Sequence, residues 1–290
     1  MKLNQSLKER IENRLGGHVK TLTPLSGGCI SSAFKLTASS GGNFLLKTND
    51  MQSADMFSKE AHGLSELRKP DAIRVPEVIS YDDDYILTEF IEPGPKSPDF
   101  FEDFGRRFAG LHRFTGDSFG FFEDNYIGST PQKNVPSDEE KNNWVEFYRN
   151  RRIIFQYRLA EANGYSTPEL RNGISKLCEK MEDILSGSTG PCSVLHGDLW
   201  GGNYLADEDG KACLIDPAVY YGHREADLAM TKIFGGFSPD FYGAYKEAFP
   251  LDEGYEFREN IYKLYHILNH LNLFGRSYYR QAVGLINYYV

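Results

Sequence analysis

The 290-residue chain has no apolar run approaching the roughly 20 residues that cross a bilayer, so a membrane-spanning helix is not expected. Cysteine is scarce. Cys29, Cys178, Cys192 and Cys213 form no CxxC pair and no secreted disulfide framework, which makes a reducing cytoplasm the expected setting. Positive charge is in deficit, with 32 Lys plus Arg against 41 Asp plus Glu, a formal charge of −9. That excess repels phosphate backbones and argues against a nucleic-acid partner, while leaving room for a local basic site that takes one nucleotide. Repeats and low-complexity tracts are also lacking. The opening MKLNQSLKERIENRLGG spaces Leu3, Leu7, Ile11 and Leu15 four apart and ends on Gly16-Gly17, which predicts an amphipathic helix and not a signal peptide.

What is present is ample apolar material: 40% hydrophobic residues, with 20 Phe and 18 Tyr. The length is about twice the commonest domain size, so one large domain or two lobes are expected. VKTLTPLSGGCISSAFKLTAS predicts two strands joined by a loop holding Gly27 and Gly28, and NFLLKTN predicts a third strand carrying Lys47. A helix is predicted from about Ala54 to Lys69, with Phe57, Ala61, Leu64 and Leu67 on one face. Short strands follow around VPEVIS and YILTEF, and the Pro- and Gly-rich EPGPKSPD marks a boundary near residue 92. The remainder reads as helical with one short β segment at residues 192 to 216. The expected class is α+β and bilobal, a small β-rich N-lobe over residues 1–91 and a larger, mainly helical C-lobe over 92–290.

The chemistry is concentrated in CSVLHGDLWGGNYLADEDGKACLIDPA, residues 192 to 218. Asp209-Gly210 signals a two-residue hairpin turn, and with that turn Asn203 lies directly opposite Asp216, just after Asp198 in the preceding loop. An Asp, an Asn five residues on and a further Asp across a hairpin suit magnesium-dependent phosphoryl transfer. Mg²⁺ takes hard oxygen ligands and borrows several from substrate phosphates, so Asn203 and Asp216 suffice from the protein. Any one of these residues alone fits a turn equally well; the set, preceded by His196 and placed after a β lobe with a lysine, does not. Gly27-Gly28 can bring backbone N–H groups close to phosphates, although the GxGxxG pattern is lacking. Lys47 on the third strand could then reach the α- and β-phosphates of ATP, with Glu60 on the next helix orienting it.

LSGGCISSAF, LHGDLWGGN, IDPAVYYGHREADLAM, FGGFSPDFYGAY and LYHILNHLNLFG, with FGFFEDNYIGSTPQ and NNWVEFYRNRR, resemble the fructosamine kinase (ketosamine-3-kinase) family over nearly the whole chain. The resemblance implies the protein-kinase-like, aminoglycoside-phosphotransferase-like fold and ATP-dependent phosphorylation of the 3-hydroxyl of ketosamines such as ribulosyl- or fructosyl-lysine. It implies Asp198 as general base, Asn203 and Asp216 as Mg²⁺ ligands, and Lys47 with Glu60 as the phosphate-lysine pair. Gly27 and Gly28 would belong to the phosphate loop. Thr88, Glu89, Phe90 and Ile91 would form the hinge, with backbone groups of Glu89 and Ile91 meeting adenine. Trp200 is a candidate wall for the sugar and equally a packing residue.

Asp216-Pro217-Ala218 stands where a protein kinase has DFG, and no APE segment builds a peptide platform, so a small-molecule kinase is favoured. Another alcohol kinase of the same fold, acting on an aminoglycoside, choline or homoserine, is the alternative, and an inactive nucleotide-binding module a more distant one. A monomer is expected. Cys29, next to the phosphate loop, is a candidate redox switch, whose oxidation would give a sulfenic acid or a linked dimer. His266 and His270 sit four apart without a third ligand, and their neighbours suggest packing. Arg149, Arg151 and Arg152 read as a solvated helix face or a substrate contact, and the sequence does not choose.

Overall fold

Helix α1 (Gln5–Leu15) starts where the Asn4 side chain accepts the Ser6 N–H, and stops where Gly16 turns left-handed at φ +63°. The computed structural model describes residues 3–25, 32–48, 55–188 and 190–290. Strands β1 (Val19–Pro24), β2 (Ser32–Ala38) and β3 (Asn43–Thr48) form an antiparallel sheet with β4 (Val78–Asp82) and β5 (Tyr85–Glu89), in the order β1-β2-β3-β5-β4. Strand periodicity sends alternate side chains to opposite faces. Tyr85, Leu87 and Leu46 join Phe34 and Leu36 beneath Leu7 and Ile11 of α1. Ile86 faces the other way, onto helix α2 (Met56–Arg68), whose Phe57, Ala61, Leu64 and Leu67 are all buried, as the spacing predicts. Lys47, next to Leu46, therefore points to the α2 face.

After an irregular stretch at 90–97 and a turn at 98–99 comes α3 (Phe100–His112), then a short hairpin of β6 (Asn125–Ile127) and β7 (Thr130–Gln132). α4 (Trp144–Tyr148) runs through a π-helical segment (Arg149–Ile154) into α5 (Phe155–Ala162), and α6 (Pro168–Leu185) follows. Next are β8 (Ser193–Leu195), β9 (Tyr204–Ala206), β10 (Ala212–Leu214) and β11 (Tyr220–Gly222), and then α7 (Glu225–Thr231), α8 (Pro239–Ala248), α9 (Tyr255–Phe274) and α10 (Tyr279–Asn287). α9 buries Ile261, Leu264, Ile267, Leu268 and Leu271 in the large helical core. No described helix is long and apolar enough to cross a membrane.

Three expectations need correction. The helical half carries more β structure than one segment, because β6–β7 and β11 lie outside residues 192 to 216. The β9–β10 register is one residue off: Leu214 pairs with Tyr204, and Asn203 lies opposite Ile215, whose N–H donates to the Asn203 carbonyl at 3.0 Å. The loop is Glu208-Asp209-Gly210, not Asp209-Gly210 alone. Asp207 closes it by accepting the Asp209 and Lys211 N–H groups on its carboxylate, and Gly210 takes φ +72°. Arg152, finally, is not on a solvated face. It is fully buried, donates to the Lys133 carbonyl and to Asn134 Oδ1, and stacks 4.0 Å from the Tyr220 ring centre.

Candidate active site

Two nested antiparallel pairings build the site. β8 pairs with β11 on the outside and β9 with β10 on the inside, which forces residues 196–203 to run alongside 215–219. The Ala218 N–H donates to the His196 carbonyl at 2.8 Å and locks the two segments. Gly197 sits at that crossing with φ +82°, and a Cβ there would lie 1.9 Å from the Ala218 carbonyl oxygen, so no other residue fits. The neutral His196 ring ties both segments together, Nε2 donating to the Ile215 carbonyl at 3.0 Å and Nδ1 accepting the Asp198 N–H at 3.3 Å. Burial holds His196 below the ordinary imidazole range, which keeps it in this uncharged, bridging form.

Asp198, Asn203, Asp216, Lys47 and Glu60 converge despite the register shift. Asn203 Nδ2 donates to the Asp198 carbonyl at 2.8 Å and to Asp198 Oδ2 at 3.2 Å, and lies 3.4 Å from the Asp216 carbonyl. Its Oδ1 is left without a protein partner among the described residues. Lys47 Nζ donates to Glu60 Oε1 at 2.7 Å and also to Asp216 Oδ1. Asp216 is one of three described non-glycine residues at positive φ, at +53°, a strained conformation that turns its half-exposed carboxylate toward Lys47.

The charges set one another. Burial pushes the Asp198 carboxyl well above the ordinary carboxylate range; nearby Asp216 and Asp227 add to this, and the Asn203 amide opposes it. Surrounding protein would also push Asp216 up, but the Lys47 charge and hydrogen bond outweigh that and leave it low. Glu60 is raised by burial in spite of Lys47. Two carboxylates of different character thus lie side by side, one poised to hold a proton and one held ionised. The donor set suits Mg²⁺ that completes its coordination on phosphates: Asn203 Oδ1 and the Asp216 carboxylate are hard oxygens, and no described cluster of three or more His, Cys, Asp or Glu forms an all-protein cage.

Of the other expected site residues, Gly27, Gly28 and Cys29 lie outside the described residues. Thr88 and Glu89 end β5, and Phe90 and Ile91 follow it. The Glu89 N–H donates to the Glu77 carbonyl at 2.8 Å, and the Glu89 carbonyl accepts from the Thr88 hydroxyl at 3.2 Å. The Ile91 N–H has no protein acceptor among the described residues. Phe90 is covered by the Lys35 ammonium at 4.3 Å, and the Glu89 side chain pairs with Arg74 at 2.7 Å. Trp200 is 38% exposed beside Asp198 and meets Phe234 edge-on at 6.1 Å. Phe234, itself at φ +58°, stands 4.7 Å from His270, which contacts Phe274 and Tyr278. His266 packs on Tyr265, and the His270 ring bonds the His266 carbonyl at 2.8 Å.

Sequence reasoning missed Asp227 and Arg74. Asp227, fully buried on α7, accepts the N–H groups of His196 and Gly197, and Arg74 joins Glu89 to Asp207 and Glu208 of the β9–β10 turn. Asp227 stood inside the READLAM stretch but carried no local signal of its partner.

An antiparallel sheet lobe, a helical lobe and an Asp/Asn/Asp cluster facing a Lys–Glu pair define a kinase-like phosphotransferase fold. An ADP-bound aminoglycoside phosphotransferase shares that fold at a TM-score of 0.64 and 14% identity, covering 99% of this chain and 98% of the other. Within that class the chain belongs to the fructosamine kinase family, whose model matches residues 3–290. It is 37% identical over 276 residues to the chloroplastic protein-ribulosamine 3-kinase of Oryza sativa subsp. indica, covering 93% of this chain and 78% of that one. A solved Thermobifida fusca structure bearing the name fructosamine-3-kinase superposes with a TM-score of 0.89 at 32% identity, covering 98% of each chain.

Proposed function

We propose that this protein is an ATP-dependent kinase that phosphorylates the 3-hydroxyl of ketosamines, the ribulosamine and fructosamine adducts of lysine or protein amines, as a deglycation step. The observation that carries the reading is the convergence of Asp198, Asn203, Asp216, Lys47 and Glu60 in a chain of the fructosamine kinase family. Asp198 accepts the proton of the attacking hydroxyl as the new O–P bond forms and the bond to the β-phosphate oxygen breaks. Lys47, oriented by Glu60, holds the α- and β-phosphates. Gly27 and Gly28 cover the phosphates, and the Glu89 carbonyl and Ile91 N–H hold adenine. Asn203 and Asp216 would hold Mg²⁺, which when bound neutralises phosphate charge. The aromatic ledge running from the exposed Trp200 and Phe234 to the partly buried His270 would form a wall for the sugar and its amine beside Asp198. The small lobe is assigned to residues 1–91 and the large one to 92–290, in a cytoplasmic monomer, with Cys29 as the thiol that peroxide would convert to a sulfenic acid or a disulfide-linked dimer.

The test is a panel of ribulosyl-lysine, fructosyl-lysine, kanamycin and choline with ATP and Mg²⁺, and the phosphate position determined by NMR. A 3-phosphate on the ketosamines is expected, with aminoglycosides poor substrates. A strong preference for kanamycin over every ketosamine would overturn the substrate and leave the fold intact.

A further inference from the structure

The β6–β7 hairpin and its lead-in grip both elements that carry the catalytic side chains. On one side Glu123 accepts from Lys59 Nζ at 2.6 Å and lies 2.7 Å from His62 Nδ1. The Tyr126 hydroxyl donates to Asp55 at 2.8 Å, and the Tyr221 hydroxyl, on the adjoining β11, donates to Glu66 at 2.8 Å. Asp55, Lys59, His62 and Glu66 are spaced four, three and four residues apart, so they form one stripe along α2. Glu60 is one residue past Lys59 and therefore about 100° around the helix, where it meets Lys47. Fixing the stripe fixes the direction in which Glu60 points.

On the other side the hairpin holds the backbone just beyond Asp216. Asn125 Nδ2 donates to the Val219 carbonyl at 2.8 Å, and Gln132 Nε2 to the Ala218 carbonyl at 2.9 Å. Asn125 Oδ1 accepts from Gln132 at 2.9 Å and from Asn134 at 2.7 Å, and the Tyr265 hydroxyl bonds Gln132 Oε1 at 2.7 Å. These amides are buried and satisfied as a set, which makes the hairpin rigid.

We infer that this hairpin is a positioning element that sets α2 in register with the Asp216 segment, with Glu123 as its principal contact. The inference rests on the reading of Lys47 and Glu60 as the phosphate-lysine pair. Glu123 receives two donors from α2, and its side chain is only 15% exposed, so loss of its charge leaves the partly desolvated Lys59 with only the longer 3.9 Å pairing to Asp55 as an ionised partner among the described residues. Lys47 bonds Glu60 and Asp216 at once, so a small rotation of α2 spoils the alignment of a nucleotide held between them. Misplacement of about 1 Å costs up to ~10²-fold in rate.

The experiment compares E123Q and E123D with wild type, each alone and in an E60Q background, reading kcat, KM for ATP and for ribulosyl-lysine, and thermal melting. E123Q is expected to lower kcat about tenfold with KM for ribulosyl-lysine within about twofold, and E123D to recover most of the loss. In the E60Q background E123Q should have no further effect, because the pair it sets is already gone. A kcat for E123Q within twofold of wild type, or the same fold loss in both backgrounds, overturns the inference. Full activity of E60Q alone instead overturns the phosphate-lysine reading, and the inference with it. Should E123Q fail to fold, Y126F and D55N put the same comparison to the other α2 contact.

Discussion

Asp227 holds the backbone of His196: its carboxylate accepts the His196 N–H at 2.7 Å, and the next N–H, that of Gly197, at 2.8 Å. Behind it His112 Nε2 lies 3.3 Å away, and His112 in turn bonds the Tyr245 hydroxyl at 2.8 Å. Burial would push the Asp227 carboxyl up, yet these donors together hold it below the ordinary range. An ionised carboxylate thus fixes the loop that presents Asp198, from a helix 30 residues further along the chain.

Asp227→Asn should therefore lower kcat while leaving both KM values near wild type. The amide can accept one N–H but turns an NH₂ toward the other donor, which costs about 1–3 kcal/mol for the unsatisfied pair. The same loss should appear as a lower melting temperature. An Asp227→Asn variant with wild-type kcat would show that the loop holds itself.

Lys47→Met and Asp216→Ala separate two duties of one ion pair. Lys47→Met should raise KM for ATP and lower kcat. Asp216→Ala should remove magnesium dependence together with turnover, because one of the two available hard ligands is lost. A magnesium titration of each variant distinguishes them. Full magnesium-dependent activity in Asp216→Ala would dissociate this carboxylate from the metal.

Trp200→Ala should act on the acceptor alone. The ring is exposed and edge-on to Phe234, so its removal opens the ledge without emptying a core. KM for ribulosyl-lysine should rise about tenfold with KM for ATP unchanged, in line with about 1 kcal/mol for an aromatic contact plus its buried area. Unchanged KM for every ketosamine would return Trp200 to a packing role.

Much of the site is legible in the sequence. The order of a lysine on the third strand and a glutamate on the next helix points to the Lys47–Glu60 pair, and the helical spacing of α2 gives its buried face. The register of β9–β10 was not legible, because the choice between a two- and a three-residue loop was made by the Asp207 side chain bonding its own turn. Asp227, Glu123 and Arg74 were silent for a different reason. Each is an ordinary charged residue locally, and its partners lie between 15 and 134 residues away in sequence. The burial of Arg152 was silent because a cationic run normally faces water; here the Tyr220, Phe147 and Tyr265 rings and the Lys133 and Asn134 oxygens make it tolerable.

Asp198 carries a conflict between stability and chemistry that pH should expose. Burial pushes its carboxyl well above the ordinary range, with Asp216 and Asp227 adding to the effect against Asn203. A base must be ionised, so kcat/KM should fall as pH drops through that raised value. Asp198→Asn should lose about 10²–10⁴-fold in turnover, and that acid limb with it, while still binding ATP. Stability runs in the opposite direction. The folded protein holds this proton to higher pH than the unfolded chain, whose carboxyl titrates near ~3.9. Folding therefore favours the protonated form, a contribution fully present below the unfolded value and lost as pH rises through the folded one. The neutral, nearly isosteric amide never meets that penalty. Asp198→Asn should accordingly melt above wild type at about pH 8, with the advantage shrinking toward about pH 4. Melting curves across that range, read beside the pH–rate profile, decide it. A variant that melts at or below wild type at the alkaline end would mean that the site pays no penalty for the charge it uses.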